Sequence, residues 1–305
     1  MSSRLSSEQV KAEAKDLGFF ACGIAKAAPV SASCADRFRR WLHAGCHAGM
    51  DYMARNVEKR LDPTLLMPGV KSIVCVALNY APGRKLPDGE PQIASYALGQ
   101  DYHDIVKSRL HTLASRLGIT AYRAFCDTAP VLERYWAAQA GLGWTGRNHL
   151  LVIPHAGSMF FLGELFLDFE LDYDRPVPSR CGTCHACIDA CPTGAICHDG
   201  QMRSARCLSY LTIEHHGDIP PAFATKMGDY IYGCDRCLTA CPHNRFATPA
   251  CDPQLQPKPE LLCMTRSDWQ NLTIEQYRSL FKGSAVKRAK YEGLKRNIDA
   301  ALKEI

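Results

Sequence analysis

Apolar positions along the chain recur first at helical spacing and then in short unbroken runs. Ser6-Ser7-Glu8-Gln9 has the form of a capping box, and Val10, Ala14 and Leu17 follow it on one helical face that Gly18 ends. A strand is predicted over 19–25, with further helices over 36–43, 101–117 and 131–140. Apolar runs at 72–78 and 149–153 lie between them, so helix and strand alternate and an α/β domain is predicted. Pro176, Pro178 and their polar neighbours break the pattern, placing the likeliest domain boundary between Asp172 and Arg180. The expected division is 1–175, a cysteine-rich 176–255, and a basic helical tail over 256–305. There is no fixed-period repeat and no low-complexity tract; the only duplication is a pair of cysteine motifs.

With 305 residues and 47% hydrophobic content, the chain can bury one large core and a smaller appended one. Its longest apolar stretch, 159–169, is broken by Gly163, Glu164 and Asp168 and falls short of the roughly 18–20 residues of a membrane span. The first residues show neither an apolar signal core nor a twin-arginine run before one, so a cytoplasmic protein without a membrane segment is expected. The net charge of +5 is concentrated: 282–303 holds Lys282, Lys287, Arg288, Lys290, Lys295, Arg296 and Lys303 against Glu292 and Asp299. That asymmetry fits either a polyanion partner or a solvated helix face.

Sixteen cysteines in a large chain of this type point to metal ligation before disulfides, because intracellular thiols stay reduced. Cys22, Cys34, Cys46, Cys75, Cys126, Cys197, Cys251 and Cys263 are scattered singly and read as small core residues. The other eight are clustered. Cys181-x2-Cys184-x2-Cys187-x3-Cys191-Pro192 has the spacing of a bacterial ferredoxin run, whose fourth thiolate crosses to the neighbouring cluster. Cys234-x2-Cys237-x3-Cys241-Pro242 supplies three more ligands, and Cys207, between the two runs, completes the set. The crossover rule assigns Cys181, Cys184, Cys187 and Cys241 to one 4Fe-4S cluster and Cys191, Cys207, Cys234 and Cys237 to a second. Zinc also binds CxxC pairs, but it gives no reason for the CxxCxxCxxxCP order. Adjacent clusters make a one-electron relay, and a dicluster module needs only about 60 residues of this kind, so the residues before it bind something else.

Several ordered blocks resemble the epoxyqueuosine reductases, cobalamin-dependent iron-sulfur enzymes that complete queuosine synthesis on tRNA. They are Lys59-Arg60-Leu61-Asp62-Pro63, the stretch 96–103 (YALGQDYH), 127–134 (DTAPVLER) running into 140–148 (AGLGWTGRN), both cysteine runs, 206–214 (RCLSYLTIE) and 283–288 (GSAVKR). The resemblance implies a nitroreductase-like cobalamin domain followed by a ferredoxin-like dicluster domain. It further implies two-electron removal of the epoxide oxygen of epoxyqueuosine in a tRNA anticodon, giving queuosine and water. Asp127 matches the family's proposed proton donor, a role for which burial should raise its pKa; from the residues alone it could equally cap the helix opened by Val131. Tyr102 and His103 are candidates for the substrate pocket, and Arg60, Asn148, Ser209, Asp235 and Asp127 for contacts with the corrin. GLGWTG follows a helix and reads as its C-terminal cap and a tight turn, not as a phosphate loop. Relatives carry lysine where Arg147 stands, so no family role transfers to that position.

Some relatives also carry C-terminal helical repeats, which do not follow Ile305 here. tRNA would then be gripped by the dicluster domain and by Lys287, Arg288, Lys290, Lys295 and Arg296. A flavodoxin- or ferredoxin-type donor and a monomer are expected. His103, His149 and His155 are candidate cobalt ligands, yet none lies in the DxHxxG context of histidine-ligated cobalamin, so a base-off form without a protein histidine is expected. The competing readings are a reductive dehalogenase, which shares the cofactor plan but usually has a twin-arginine signal, and an electron-transfer protein that would take up no corrin. Protein purified without oxygen is expected to contain iron and sulfide in place of zinc and to acquire a corrin absorption spectrum when reconstituted with vitamin B12. Zinc, or refusal of the corrin, would refute this reading.

Overall fold

The computed structural model describes residues 5–303. Helix α1 (Ser7–Asp16) begins at a complete capping box: the Ser6 hydroxyl accepts from the Gln9 N–H while the Gln9 side chain accepts from the Ser6 N–H. Strand β1 (Ala21–Lys26) and helices α2 (Ala32–His43) and α3 (Val57–Leu61) follow, then β2 (Ser72–Asn79) and the short β3 (Gln92–Ile93). Next come α4 (Tyr102–Arg116), β4 (Tyr122–Phe125), α5 (Glu133–Gln139), the hairpin β5 (Trp144–Thr145) and β6 (Leu151–Val152), and β7 (Phe160–Leu167). The main sheet has the order β1-β2-β7-β4 and is antiparallel throughout. The architecture is therefore α+β, with helices covering both faces of an antiparallel sheet.

Two-sided burial explains why β2 and β7 are nearly continuous apolar runs. Val74, Val76 and Leu78 of β2, with Phe161 and Leu165 of β7, pack toward α1 and α4. Ile73, Cys75 and Ala77, with Leu162 and Phe166, pack toward α2 and α5. The stretch 159–169 thus holds β7, an inner strand of the sheet, and no helix among the described residues is long and apolar enough to cross a membrane. Gly163 lets α4 lie close on β7, since a Cβ there would meet the side chains of Val106 and Leu110. Residues 172–174 run back along the sheet edge: the Asp174 N–H donates to Ile24, and its carboxylate accepts from the Ile24 N–H and from Lys11.

Beyond this segment the chain forms short helices, α6 (Ala186–Asp189), α7 (Leu208–Ile213), α8 (Pro221–Ala224) and α9 (Arg236–Thr239), with β8 (Tyr230–Tyr232) between the last two. It ends in α10 (Pro259–Leu262), α11 (Arg266–Gln270), α12 (Ile274–Leu280) and α13 (Lys290–Leu302). A separate core gathers Trp269, Tyr277, Phe281, Leu294 and Ile298 around Ile231 and Tyr232, and it also takes in Leu86, Ile93, Ala97 and Leu98 from the first half of the sequence. β3 completes the exchange by pairing in parallel with β8. The last helices are therefore packed structure with a basic outer surface.

Asn244 joins the two halves. Its side-chain oxygen accepts from the Ser158 N–H at 2.6 Å, and its amide donates to the Ser158 hydroxyl and to the Leu238 carbonyl. Gly157, in the left-handed region at φ 86°, leaves room for it. Asn244→Ala strands the Ser158 N–H and takes one donor from the Leu238 carbonyl, which keeps the Cys241 N–H, and is expected to lower unfolding stability by about 1–3 kcal/mol in chemical denaturation of the cluster-loaded protein.

Candidate active site

The eight clustered thiols collect in two neighbouring groups. Cys181, Cys184, Cys187 and Cys241 line one cavity together with Gly146, Arg147, Asn148 and His243. Burial raises the Cys237 thiol, and Cys234, Cys207, Cys191 and Cys187 act on it in that order, so the second group lies against the first. Helices α6 and α9, one in each cysteine run, pack on one another. Among the described residues no three His, Cys, Asp or Glu side chains converge tightly enough to hold a single metal ion. The Trp144 indole N–H points at the Cys181 sulfur at 3.4 Å, and Arg147 donates to the Gly182 carbonyl, fastening the 144–148 turn to the first cysteine loop. Of the scattered cysteines, Cys75 and Cys126 are core residues, whereas Cys251 and Cys263 are exposed, contrary to the sequence reading. The latter two lie in irregular segments that present them to solvent.

Asp127 sits just past the end of β4 in the left-handed region, φ 57°, a conformation aspartate tolerates better than most residues. It does not cap α5, whose first residue is Glu133 and whose N-cap, Leu132, makes no side-chain cap bond. Its carboxylate accepts from the Tyr102 hydroxyl at 2.6 Å and lies 3.2 Å from His103 Nε2. His103 Nδ1 is 2.6 Å from Asp101, the N-cap of α4. Tyr102 stacks on the His103 ring and on the parallel ring of Phe161, with centroids 4.0 and 4.1 Å away. The first turn of α4 thus presents Tyr102 and His103 to the loop after β4, and the Asp127 side chain remains 58% exposed toward solvent.

The electrostatics of this triad reverse the expectation for Asp127. Burial acts to raise its pKa, but the hydrogen bonds from His103 and Tyr102 and the charges of His103 and Arg134 outweigh it and bring it down to about 2. His103 moves the other way. Burial lowers its pKa, yet the Asp101 and Asp127 carboxylates prevail and raise it to about 9, so at neutral pH the proton rests on the imidazole.

Around this centre lie buried donors without partners. They are Arg60 Nε, Arg147 Nε, Asn148 Nδ2 and one ring nitrogen of His149, Nε2. Arg60 is 8% exposed and bonds only the Tyr52 carbonyl, at 3.2 Å, and Asn148 uses its oxygen for the Leu150 N–H. Buried unpaired donors are rare, and a corrin rimmed by amide carbonyls supplies the acceptors they lack. The residues between Asp127 and the first cysteine group therefore fit cobalamin. His149 is held neutral, its pKa lowered to about 4 by burial and then by Arg134 and Arg37. His155 stacks edge-on against Phe246.

Other sequence candidates have different surroundings. The Asp235 carboxylate accepts the Ser95 N–H at 2.7 Å, and the Ser209 carbonyl accepts from Thr212. Arg296 is a structural clamp, donating to the carbonyls of Leu211, His215 and Gly217. Arg288 pairs with Glu214, and Lys295 pairs with Asp299, while Lys287 and Lys290 stand exposed. The sequence reading passed over Glu133, Glu164 and Arg134, which the fold sets beneath or beside Asp127. A carboxylate inside the apolar run 159–169 was the available signal for Glu164.

Comparison with known proteins bears on the chain as a whole. A family model described as a 4Fe-4S double cluster binding domain matches residues 180–244, the segment containing the eight clustered cysteines, and one described as epoxyqueuosine reductase QueG, DUF1730, matches residues 60–128. The chain is 45% identical over 297 residues to an epoxyqueuosine reductase of Cellulophaga algicola, covering 96% of this chain and 97% of the relative. It is also 45% identical to the enzyme of Leadbetterella byssophila, covering 98% and 99%. A crystal structure of an epoxyqueuosine reductase with an epoxyqueuosine-modified tRNA stem loop superposes with a TM-score of 0.86 at 30% identity, covering 97% of this chain and 80% of the other. A Bacillus subtilis epoxyqueuosine reductase, solved with its catalytic aspartate loop swung out of the active site, superposes at 0.84 with the same identity and coverage. Similar in sequence over 96–98% of its length to these reductases, and in fold to their solved structures, the chain belongs to the epoxyqueuosine reductase family.

Proposed function

We propose that the protein reduces epoxyqueuosine to queuosine in the anticodon of tRNA, using cobalamin and two 4Fe-4S clusters. The reaction exchanges an epoxide for a carbon–carbon double bond and water, so it consumes two electrons and two protons. Bound cobalamin supplies the strongly reducing centre, and the clusters supply it with electrons one at a time. Cys181, Cys184, Cys187 and Cys241 would hold the first cluster, and Cys191, Cys207, Cys234 and Cys237 the second. Arg60, Arg147, Asn148 and His149 would meet the corrin rim through the donors that lack partners.

The observation that carries this reading is the Asp127 carboxylate, held open to solvent by Tyr102 and by a protonated His103. A departing epoxide oxygen is strongly basic and must be protonated as its carbon–oxygen bond breaks. Asp127 and His103 hold one proton between them at that place: His103 stores it, Asp127 Oδ2 conveys it, and Asp101 keeps the imidazole oriented. Tyr102 fixes the carboxylate and shields it from the core side. A low resting pKa for Asp127 is compatible with acid catalysis because its partner carries the proton. The loop holding Asp127 would be the counterpart of the catalytic aspartate loop that stands swung out of the active site in the Bacillus subtilis relative.

Residues 1–175 would form the catalytic unit, with 86–98 lent to the C-terminal core, and 176–255 the cluster unit. Lys287, Arg288 and Lys290 would contact the tRNA backbone, Lys295 would assist from α13, and Arg296 would hold their helix in place. A flavodoxin- or ferredoxin-type protein in the cytoplasm would reduce the monomer.

Incubating holoenzyme with epoxyqueuosine-containing tRNA and a reductant, then weighing the digested nucleosides, should show loss of one oxygen; an unchanged mass refutes the proposal. Asp127→Asn is expected to slow single turnover by about 10²–10⁴, the usual worth of a positioned general acid. Because the His103 pKa is raised to about 9, the imidazolium is present below that value and lost above it. Turnover should therefore fall as pH rises through about 9, and His103→Gln should abolish this dependence.

A further inference from the structure

Beneath the Asp127 loop lies an acid that the mechanism above does not use. Glu164 stands in the middle of β7, opposite Cys75 of β2 and Phe125 of β4, on the face that packs against α5. It is 0% exposed, and neither carboxyl oxygen has a hydrogen-bond partner of sound geometry. Burying an ionised carboxylate in that state costs several kcal/mol, far more than the leucine or valine a central strand ordinarily carries. Glu164 is therefore protonated, and of the titratable groups around it Glu133 acts on it most strongly. Glu133 is the first residue of α5, and its carboxyl accepts the backbone N–H of Asp127.

We propose that Glu133 is a positioning residue for Asp127, and that Glu133 and the fully buried Glu164 form an acid pair whose shared protons set the charge that Asp127 faces. The proposal rests on the functional reading above and deepens it. Two adjoining carboxyls, one of them sealed from solvent, resist ionising together, so the pair retains a proton at neutral pH. While Glu133 is protonated, Asp127 meets no second anion from below and can remain the carboxylate that keeps His103 charged. When Glu133 ionises, repulsion raises the proton affinity of Asp127, and the bond from the Asp127 N–H gains charge assistance, holding the loop more tightly.

The groups facing Glu133 from each element support this direction. Burial first and then Asp127 raise its pKa, the Asp127 N–H, Arg134 on its own helix and His103 of α4 pull it back, and the balance stands at about 8. Glu164 faces it from β7 and Cys75 from β2. Tyr102 of α4, Cys126 after β4 and Arg60 of α3 complete the surroundings. Arg60, Arg134 and the protonated His103 are the cations within this shell, and none of them makes a hydrogen bond or ion pair to Glu133.

The test is an infrared pH titration of the holoenzyme combined with kinetics. A protonated-carboxyl band should persist at pH 7 and diminish as pH rises through about 8, and both Glu133→Gln and the isosteric Glu164→Gln should weaken it. In single turnover, Glu133→Ala should lower the rate constant about 100-fold by displacing the Asp127 loop, with little change in the KM for tRNA. Glu133→Gln keeps an oxygen to accept the Asp127 N–H and should recover most of that loss, while the lower of two alkaline inflections disappears and the His103 one remains. Absence of the band at pH 7, or its persistence unchanged in both glutamine variants, overturns the proposal. So do equal losses in Glu133→Ala and Glu133→Gln without any change of pH profile. If the wild type removes no oxygen from tRNA, the functional reading fails, and the infrared result still decides the acid pair by itself.

Discussion

The burial of β2 and β7 on both faces is the constraint from which the active site follows. Because these strands are covered by α1 and α4 on one side and by α2 and α5 on the other, α4 and α5 must begin near the same end of the sheet, where β4 finishes. That end brings Tyr102 and His103 from the start of α4, Asp127 from the exit of β4, and Glu133 from the start of α5 into one space. Catalytic groups held by the ends of packed elements lose little orientation when the loop between them moves.

The chemistry of the site is a division of labour among acids. Asp101 and Asp127 are separated by an imidazole that both stabilise as a cation, so the proton rests on nitrogen within hydrogen-bond distance of the Asp127 carboxylate. The expectation of a raised Asp127 pKa treated the residue in isolation, with desolvation as the dominant influence. In the folded protein the hydrogen bonds from His103 and Tyr102 outweigh desolvation, as they do whenever a carboxylate accepts strong donors. In Glu164, which has no such donor, and in Glu133, which accepts only the Asp127 N–H, desolvation prevails and the pKa rises.

The two halves of the chain are more interlocked than a catalytic domain with a tail attached. Residues 86–98 leave the first half to line the C-terminal core, β3 pairs with β8, and Asn244 returns to Ser158 beside the first-half sheet. Trp144 and Arg147 reach the first cysteine loop from the other side. Electron transfer and deoxygenation both demand a fixed distance between cluster and corrin, and contacts exchanged in both directions provide it better than a flexible linker.

What the sequence by itself determined was whatever depends on neighbours along the chain. The capping box at Ser6, the apolar run of β2, the helix over 101–117 and the cysteine spacings are local patterns whose physics is complete within a few residues, and family blocks such as 127–134 are legible in the same way. Tertiary structure alone decided that 159–169 is a central antiparallel strand, that Arg296 is spent on carbonyls while Lys287 is exposed, and that Glu164 lies under Asp127. The reason is electrostatic as well as geometric. A side chain's charge state and hydrogen-bond partners are set by groups distant in sequence, such as Tyr102 and Asp127 or Glu133 and Glu164, and no local pattern encodes which of them will meet in the folded chain.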